Sequence, residues 1–340
     1  MQPQASGFAS QLEWSQLPGG AITITPNAAE VPLRVSLLII GMTLWLVFIL
    51  SLVGLAYGIL LGLFFFFAHM SLIAHLRGSS IKLGPNQMPE LYGRVVELSR
   101  RIGLKKVPDV YLRQSGGLLN AFATRFGKAR FVVLFSELVH ACGDNLNALD
   151  FIIAHELGHI HRGHLNLRWL YAPALFIPFL GSAYSRACEY TCDRYGFQAP
   201  KDPDRGLDGL CILAAGPQFV SVVNRQAFAA QDRDLNTAFM KLGEWFATHP
   251  PLALRLAALV PNLRAAQVNS LMANLGALAI VSLLFAVPIA GTAVVIKAVD
   301  DLGKRIAAIT AASNPLNLPS ATPTGSPFSP TATERLRLQR

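Results

Sequence analysis

Residues 146–162 read Leu-Asn-Ala-Leu-Asp-Phe-Ile-Ile-Ala-His-Glu-Leu-Gly-His-Ile-His-Arg. Leu146, Leu149, Ile152, Ile153, Leu157 and Ile160 recur at helical spacing, and Asp144-Asn145 just before them supplies an N-cap signal. On such a helix residues four apart share a face, so the imidazoles of His155 and His159 can reach one metal ion. Glu156 stands one position on from His155, beside the metal without having to bind it. That is the place for a general base acting on a water molecule that the metal activates.

A catalytic zinc wants a third protein ligand and an open position. The metzincin pattern would put Gly at 162 and His at 165, where this chain has Arg162 and Leu165. His161 and His164 fall off the ligand face, and we expect them at an interface or in solvent. The better candidate is Glu189, within Arg-Ala-Cys-Glu-Tyr-Thr-Cys-Asp at 186–193. Asp193, one turn further on, can accept the free N–H of a ligating imidazole and fix its tautomer. Cys188 and Cys192 flank Glu189 at helical spacing; two His with two Cys would leave no open position, so they read as buried small apolar residues. Cys142 and Cys211 fit no metal-binding pattern, and no structural disulfide is expected.

Hydrophobic residues make up 52% of the 340, charged residues only 14%, against about 25% in an average soluble domain. A wholly disordered chain and a small disulfide scaffold are excluded. The excess is concentrated: Val35 to Leu76 contains no Lys, Arg, Asp or Glu. That run exceeds the roughly 20 residues needed to cross a bilayer. A hairpin would leave short arms around Ser51 and Gly54, so one long transmembrane helix over 35–76 is the preferred expectation. Gly54, Gly58 and Gly62 form a small-residue stripe suited either to packing on the chain's own second span or to a homo-oligomer. A second span is expected over 269–298, closed by Lys297, Asp300 and Asp301.

Between the spans, residues 77–264 hold 22 Lys and Arg against 15 Asp and Glu, which by the positive-inside rule places the domain in the cytoplasm. No nucleic-acid motif accompanies the charge. The apolar segment 169–184 is broken by Pro173 and Pro178. A single crossing there would strand Glu189 across the bilayer from both histidines, so a buried, interfacial or re-entrant segment is expected. The resulting organisation is a polar segment 1–34, poorly ordered over 1–30, a span 35–76, a domain 77–268 that carries the metal motif, a span 269–298 and a segment 299–340 with a Pro/Ser/Thr-rich disordered tail.

Over about residues 80–265 these features resemble the M48 zinc metallopeptidases, the family of the HtpX-like membrane proteases and of CAAX-processing enzymes. The resemblance rests on the motif at 155–159, on Glu189 with Asp193, and on two weaker elements. One is Asn120-Ala121-Phe122-Ala123 followed by the apolar strand Phe131–Phe135, which the resemblance makes the border of the substrate cleft. An extended polypeptide could add to it by main-chain hydrogen bonds. The other is His249-Pro-Pro with Arg255, implying oxyanion-stabilising or substrate-positioning roles. Capping of the helix that begins near Pro251 is the equal alternative for His249. HtpX-like members carry two spans between motif and Glu where this chain has the short segment 169–184, so four spans are not expected.

The expected fold is α+β, a mainly helical zincin-like metallopeptidase domain with a small β-sheet, flanked by transmembrane helices. The expected function is a membrane-anchored endopeptidase with one Zn2+ per chain; the resemblance implies unfolded, damaged or membrane polypeptides as substrates and a bacterial inner membrane as the location. A non-catalytic zinc-stabilised scaffold and a zinc hydrolase of a non-peptide bond are the alternatives. Glu156 argues against the scaffold, because a structural site has no use for an unligated carboxylate between two ligands.

Overall fold

The computed structural model describes residues 21–127, 129–260 and 270–312. The expectations for residues 1–20, for 261–268 and for the tail beyond 312 lie outside the described residues.

The apolar stretch is two helices, not one. Helix α1 (Glu30–Leu50) and helix α2 (Leu52–Gly78) meet at Ser51, whose backbone is extended (φ −95°, ψ 117°) and whose hydroxyl accepts a hydrogen bond from Gly54 N. The helices fold back on each other. A Cβ on Gly58 would stand 4.0 Å from the Trp45 ring, whereas 13 residues along one straight helix would separate them by about 20 Å. The single-helix expectation is therefore corrected. It made the arms too short because it stopped them at charged residues, and the helices run on past those. α1 starts at Glu30, whose carboxylate is bonded to Arg162 and Thr191 inside the domain. α2 ends by packing Ile73 and Leu76 onto the sheet.

The same contacts correct the N-terminal segment. Ile22 N donates to Arg101 O at 2.8 Å, Asn27 N donates to Thr191 Oγ1 at 2.9 Å, and Ile24 joins the main core. Residues 21–29 thus belong to the folded domain, on the same side as the zinc motif, which one crossing over 35–76 would forbid. Both α1 and α2 are long and apolar enough to cross a membrane.

After α2 come β1 (Ile81–Lys82), α3 (Pro89–Ile102), β2 (Asp109–Arg113), β3 (Ala121–Phe126) and β4 (Ala129–Phe135). Then follow α4 (Ser136–Cys142), the motif helix α5 (Leu146–Arg162), α6 (Arg168–Leu175) and α7 (Leu180–Gln198). Five short helices complete the domain: α8 (Pro203–Gly206), α9 (Asp208–Ala215), α10 (Arg225–Ala230), α11 (Ala238–Phe246) and α12 (Leu252–Leu259). The chain is mostly helical with one mixed four-stranded sheet, ordered β1-β2-β4-β3. β2 and β4 run parallel; the other two pairings are antiparallel.

Period-two alternation makes β4 a partition. Phe131 and Val133 face Ile73 and Leu76 of α2, while Val132 and Leu134 face the main core that holds α5. β4 is paired on both sides, so its neighbour β3 is the edge strand at that end of the sheet, with the two-residue β1 at the other. The expectation that Phe131–Phe135 borders the cleft is corrected accordingly: both its hydrogen-bonding edges are already used.

Helix α5 is buried nearly all round, with 12 of its 17 residues enclosed. Asn145 caps its start by accepting from Ala148 N, and Gly163 in the left-handed conformation (φ 68°) ends it. Arg94 on α3 forks onto Asp150 of α5 with both contacts at 2.8 Å. Against α7 the packing is close enough that a Cβ on Gly196 would sit 2.9 Å from Phe151 O. Only glycine lets the two helices approach so far, and that approach brings Glu189 to the histidines.

The segment 169–184 forms α6 and the start of α7. α6 has eight residues, about 12 Å of helix, and is not among the candidate spans. It lies across α1, where Trp45 Nε1 donates to Trp169 O and a Cβ on Gly41 would stand 2.6 Å from Tyr171 Cα.

Helix α13 (Leu271–Ala312) is longer than the expected span. Lys297, Asp300 and Asp301 do not end it, since no proline follows Pro288 before residue 315 and Lys304 pairs with Asp300 one turn away. Of the described residues, 279–312 form a separate compact unit, with Leu283, Leu284 and Val294 among its exposed apolar side chains.

Candidate metal centre

Two helices build the centre. His155 and His159 project from α5, and Glu189 from α7 meets them. His155 Nε2 lies 3.4 Å from Glu189 Oε2, and His159 Nε2 lies 3.4 Å from Glu189 Oε1. Ligand atoms about 2.0–2.1 Å from a tetrahedral zinc stand about 3.3 Å from one another. The spacing therefore suits a single ion held by these three residues.

Behind the ligands lies a layer of ion pairs. Asp193 Oδ1 is 3.0 Å from His155 Nδ1 and is fully enclosed. Arg255, buried on α12, forks onto Asp193 (Nε to Oδ2 2.8 Å, Nη2 to Oδ1 2.6 Å) and approaches Glu189 at 3.5 Å. Burial opposes charge at each of these groups, and the neighbours decide. Burial pulls His155 down, yet Asp193 and Glu189 outweigh it and lift the imidazole to about 10. Burial likewise raises Glu189, but the two histidines hold it well below the ordinary carboxylate range. Arg255 keeps Asp193 low against the same penalty. A place that favours a proton this strongly favours a metal cation by the same electrostatics.

Glu156 lines the same cleft, a cavity of about 340 Å³. Asn120, Ala121, Phe122 and Ala123 lie on its wall, three of them on the open-edged strand β3. His249 stands at the mouth, 68% exposed, its Nε2 3.6 Å from Glu189 Oε1. It does not cap α12, which begins without a side-chain cap. All of the expected site residues converge here, and Arg255 spends its guanidinium on carboxylates at the back of the ligands.

Two features were missed. His164 is not at an interface or in solvent but buried, its Nδ1 3.0 Å from His159 Nδ1. Helical offsets lose their meaning beyond Gly163, where the left-handed residue turns the chain back over the site. Glu30, a lone acid opening an apolar helix, is the signal that had been available, since such residues are costly unless used. His161 is exposed and its Nδ1 contacts Tyr195 OH at 2.9 Å. All four cysteines are free and buried. Burial raises the Cys192 thiol well above its ordinary range, with nearby carboxylates adding to the shift.

Helices long and apolar enough to cross a membrane thus accompany a two-histidine, one-glutamate cluster that could hold a metal ion. Family comparison agrees: the model for Peptidase family M48 matches residues 85–177 and 166–262, more than half of the chain, and the protein belongs to that family. A "Protease HtpX homolog" of Bacillus pumilus (strain SAFR-032) is 42% identical over 77 residues. That match covers 22% of this chain and 25% of the relative, so the chain spans about a quarter of the curated relative it matches. No solved structure matches.

Proposed function

We propose that the protein is a zinc-dependent endopeptidase anchored in a bacterial inner membrane, with its catalytic domain in the cytoplasm, cleaving unfolded, damaged or membrane-inserted polypeptides. One observation carries the reading: His155, His159 and Glu189 bring metal-ligand atoms within 4.8 Å of one another in a cleft lined by residues of the edge strand β3. His155, His159 and Glu189 would hold one zinc ion per chain. When bound, the metal supplies Lewis-acid polarisation of a peptide carbonyl and acidifies water.

The remaining work falls to side chains. Glu156 takes the proton of the attacking water and returns it to the leaving amine. Asp193 accepts from Nδ1–H of His155 and so keeps Nε2 free for ligation. Arg255 holds Asp193 and Glu189 in place, acting as a positioning residue instead of meeting substrate directly. His249 at the cleft mouth is placed to donate to charge developing on the carbonyl oxygen. The main chain of Ala121–Ala123 on β3 binds an extended segment as an added strand. The helices long and apolar enough to cross a membrane support the setting, and the basic balance of residues 77–264 supports the cytoplasmic side.

The test compares wild type with Glu156→Gln, purified in detergent, for zinc content and cleavage of casein. Equal zinc with cleavage by wild type alone is expected. Cleavage by Glu156→Gln at the wild-type rate would refute the mechanism, and full zinc in Glu189→Ala would refute the ligand set.

A further inference from the structure

Glu30 opens α1 and is 1% exposed. Its Oε2 accepts from Thr191 Oγ1 at 2.5 Å, and its Oε1 accepts from Nε and Nη2 of Arg162 at 3.1 and 2.9 Å. Those bonds anchor the membrane helix to the domain. They do not account for the third neighbour, His164, whose Nε2 lies 3.3 Å from Glu30 Oε1. Among the described residues no other hydrogen-bond partner serves that buried nitrogen.

The other side of the His164 ring faces the metal centre. Its Nδ1 is 3.0 Å from Nδ1 of His159, and the opposite nitrogen of His159 is the one turned toward Glu189. Two ring nitrogens at that distance share one hydrogen, so the tautomer of either ring sets that of the other. His159, His164 and Cys192 also gather closely enough to suggest a second metal site. The 3.0 Å separation is short of the roughly 3.3 Å between ligand atoms of a tetrahedral ion and right for a hydrogen bond.

We infer that Glu30 and His164 form a positioning chain for His159. The Glu30 carboxylate accepts from Nε2–H of His164, whose Nδ1 accepts from Nδ1–H of His159, leaving the Nε2 lone pair of His159 for the metal. The arrangement mirrors Asp193 behind His155, with one difference of origin. Asp193 belongs to the peptidase domain, whereas Glu30 is the first residue of a membrane helix. The membrane hairpin is then part of the metal site as well as an anchor. This rests on the proposed function insofar as His159 is a ligand.

The full chain in detergent is compared with Glu30→Gln, His164→Asn, the two combined, Leu37→Ala and His159→Ala. Zinc retention is read against a chelator series, and the visible spectrum is read after cobalt substitution. Removing such partners typically weakens metal binding about 10–100-fold. Glu30→Gln and His164→Asn should each fall in that range with a shifted cobalt band, and the combination should lose no more than the worse of the two. Leu37 is apolar and buried where α1 meets α6 and α7, so Leu37→Ala loosens docking without removing a hydrogen bond of the chain and should stay nearer wild-type affinity than Glu30→Gln. Wild-type retention in Glu30→Gln would overturn the inference, as would an equal loss in Leu37→Ala. If Glu30→Gln does not fold, His164→Asn decides, since it leaves the Arg162 and Thr191 anchors intact. Full zinc in His159→Ala would sink the ligand assignment itself; loss there with none in Glu30→Gln and His164→Asn sinks only the chain proposed here.

Discussion

Arg255→Met is the sharpest probe of how the centre is held together. The guanidinium is buried between Asp193, which is 1% exposed, and Glu189, and it makes two short bonds to the first. Methionine fills similar volume, so the change removes charge and hydrogen bonds without opening a large cavity. Removing one partner of a buried pair typically costs about 3–5 kcal/mol, because the other charge is left uncompensated. For a domain of this size each kcal/mol moves the midpoint by roughly 2–4 °C, which gives a fall of about 6–20 °C in the metal-free protein. Added zinc should narrow the gap, since the ion supplies part of the missing positive charge beside the same carboxylates. Arg255→Lys should fall between, restoring the charge but not the fork. The assay is thermal unfolding of the purified chain in detergent, with zinc and with chelator. A metal-free Arg255→Met melting within about 1 °C of wild type would refute the reasoning.

Three further outcomes follow from the geometry. Gly196→Ala drives a methyl against Phe151 O at 2.9 Å and the Phe151 ring at 3.1 Å, so overpacking of about 1–3 kcal/mol is expected. It should also weaken zinc retention by spreading α5 from α7, and an unchanged melting curve would contradict this. Glu137 accepts from Ser115 N and Gly117 N; these backbone bonds, led by Ser115, hold its carboxyl near 2 instead of 4.5. The folded value being the lower, its contribution is complete above pH 4.5 and is lost as pH falls toward 2. Hydrogen exchange at 115–117, corrected for intrinsic rate, should therefore accelerate between pH 5 and 3 in wild type but not in Glu137→Gln. Finally, a tag at the N-terminus should share protease accessibility with the peptidase domain in sealed vesicles, while a C-terminal tag should lie opposite. An N-terminal tag on the far side would refute the hairpin.

Much of the metal centre was legible because its chemistry is written in local spacing. His155, Glu156 and His159 follow from one helical turn, and Asp193 from one more turn beyond Glu189. The hairpin was legible only as the lesser alternative, because Ser51 looks too slight to end a helix in an apolar run. What makes the arms long enough is neutralisation of Glu30 by Arg162 and Thr191, residues more than 130 positions away. His164 was misread because periodicity was extended through Gly163, where helical geometry stops.

By itself, then, the sequence determined the ligand-bearing helices, the excess of apolar residues and the class of chemistry, all set by short-range periodicity and composition. Only the tertiary structure decided which strand offers a free edge, how many times the apolar stretch turns, and that an acid at the membrane helix lies behind a metal ligand. Those depend on pairing and burial between segments far apart in the chain. No local pattern encodes such contacts, because their energy exists only once the segments have met.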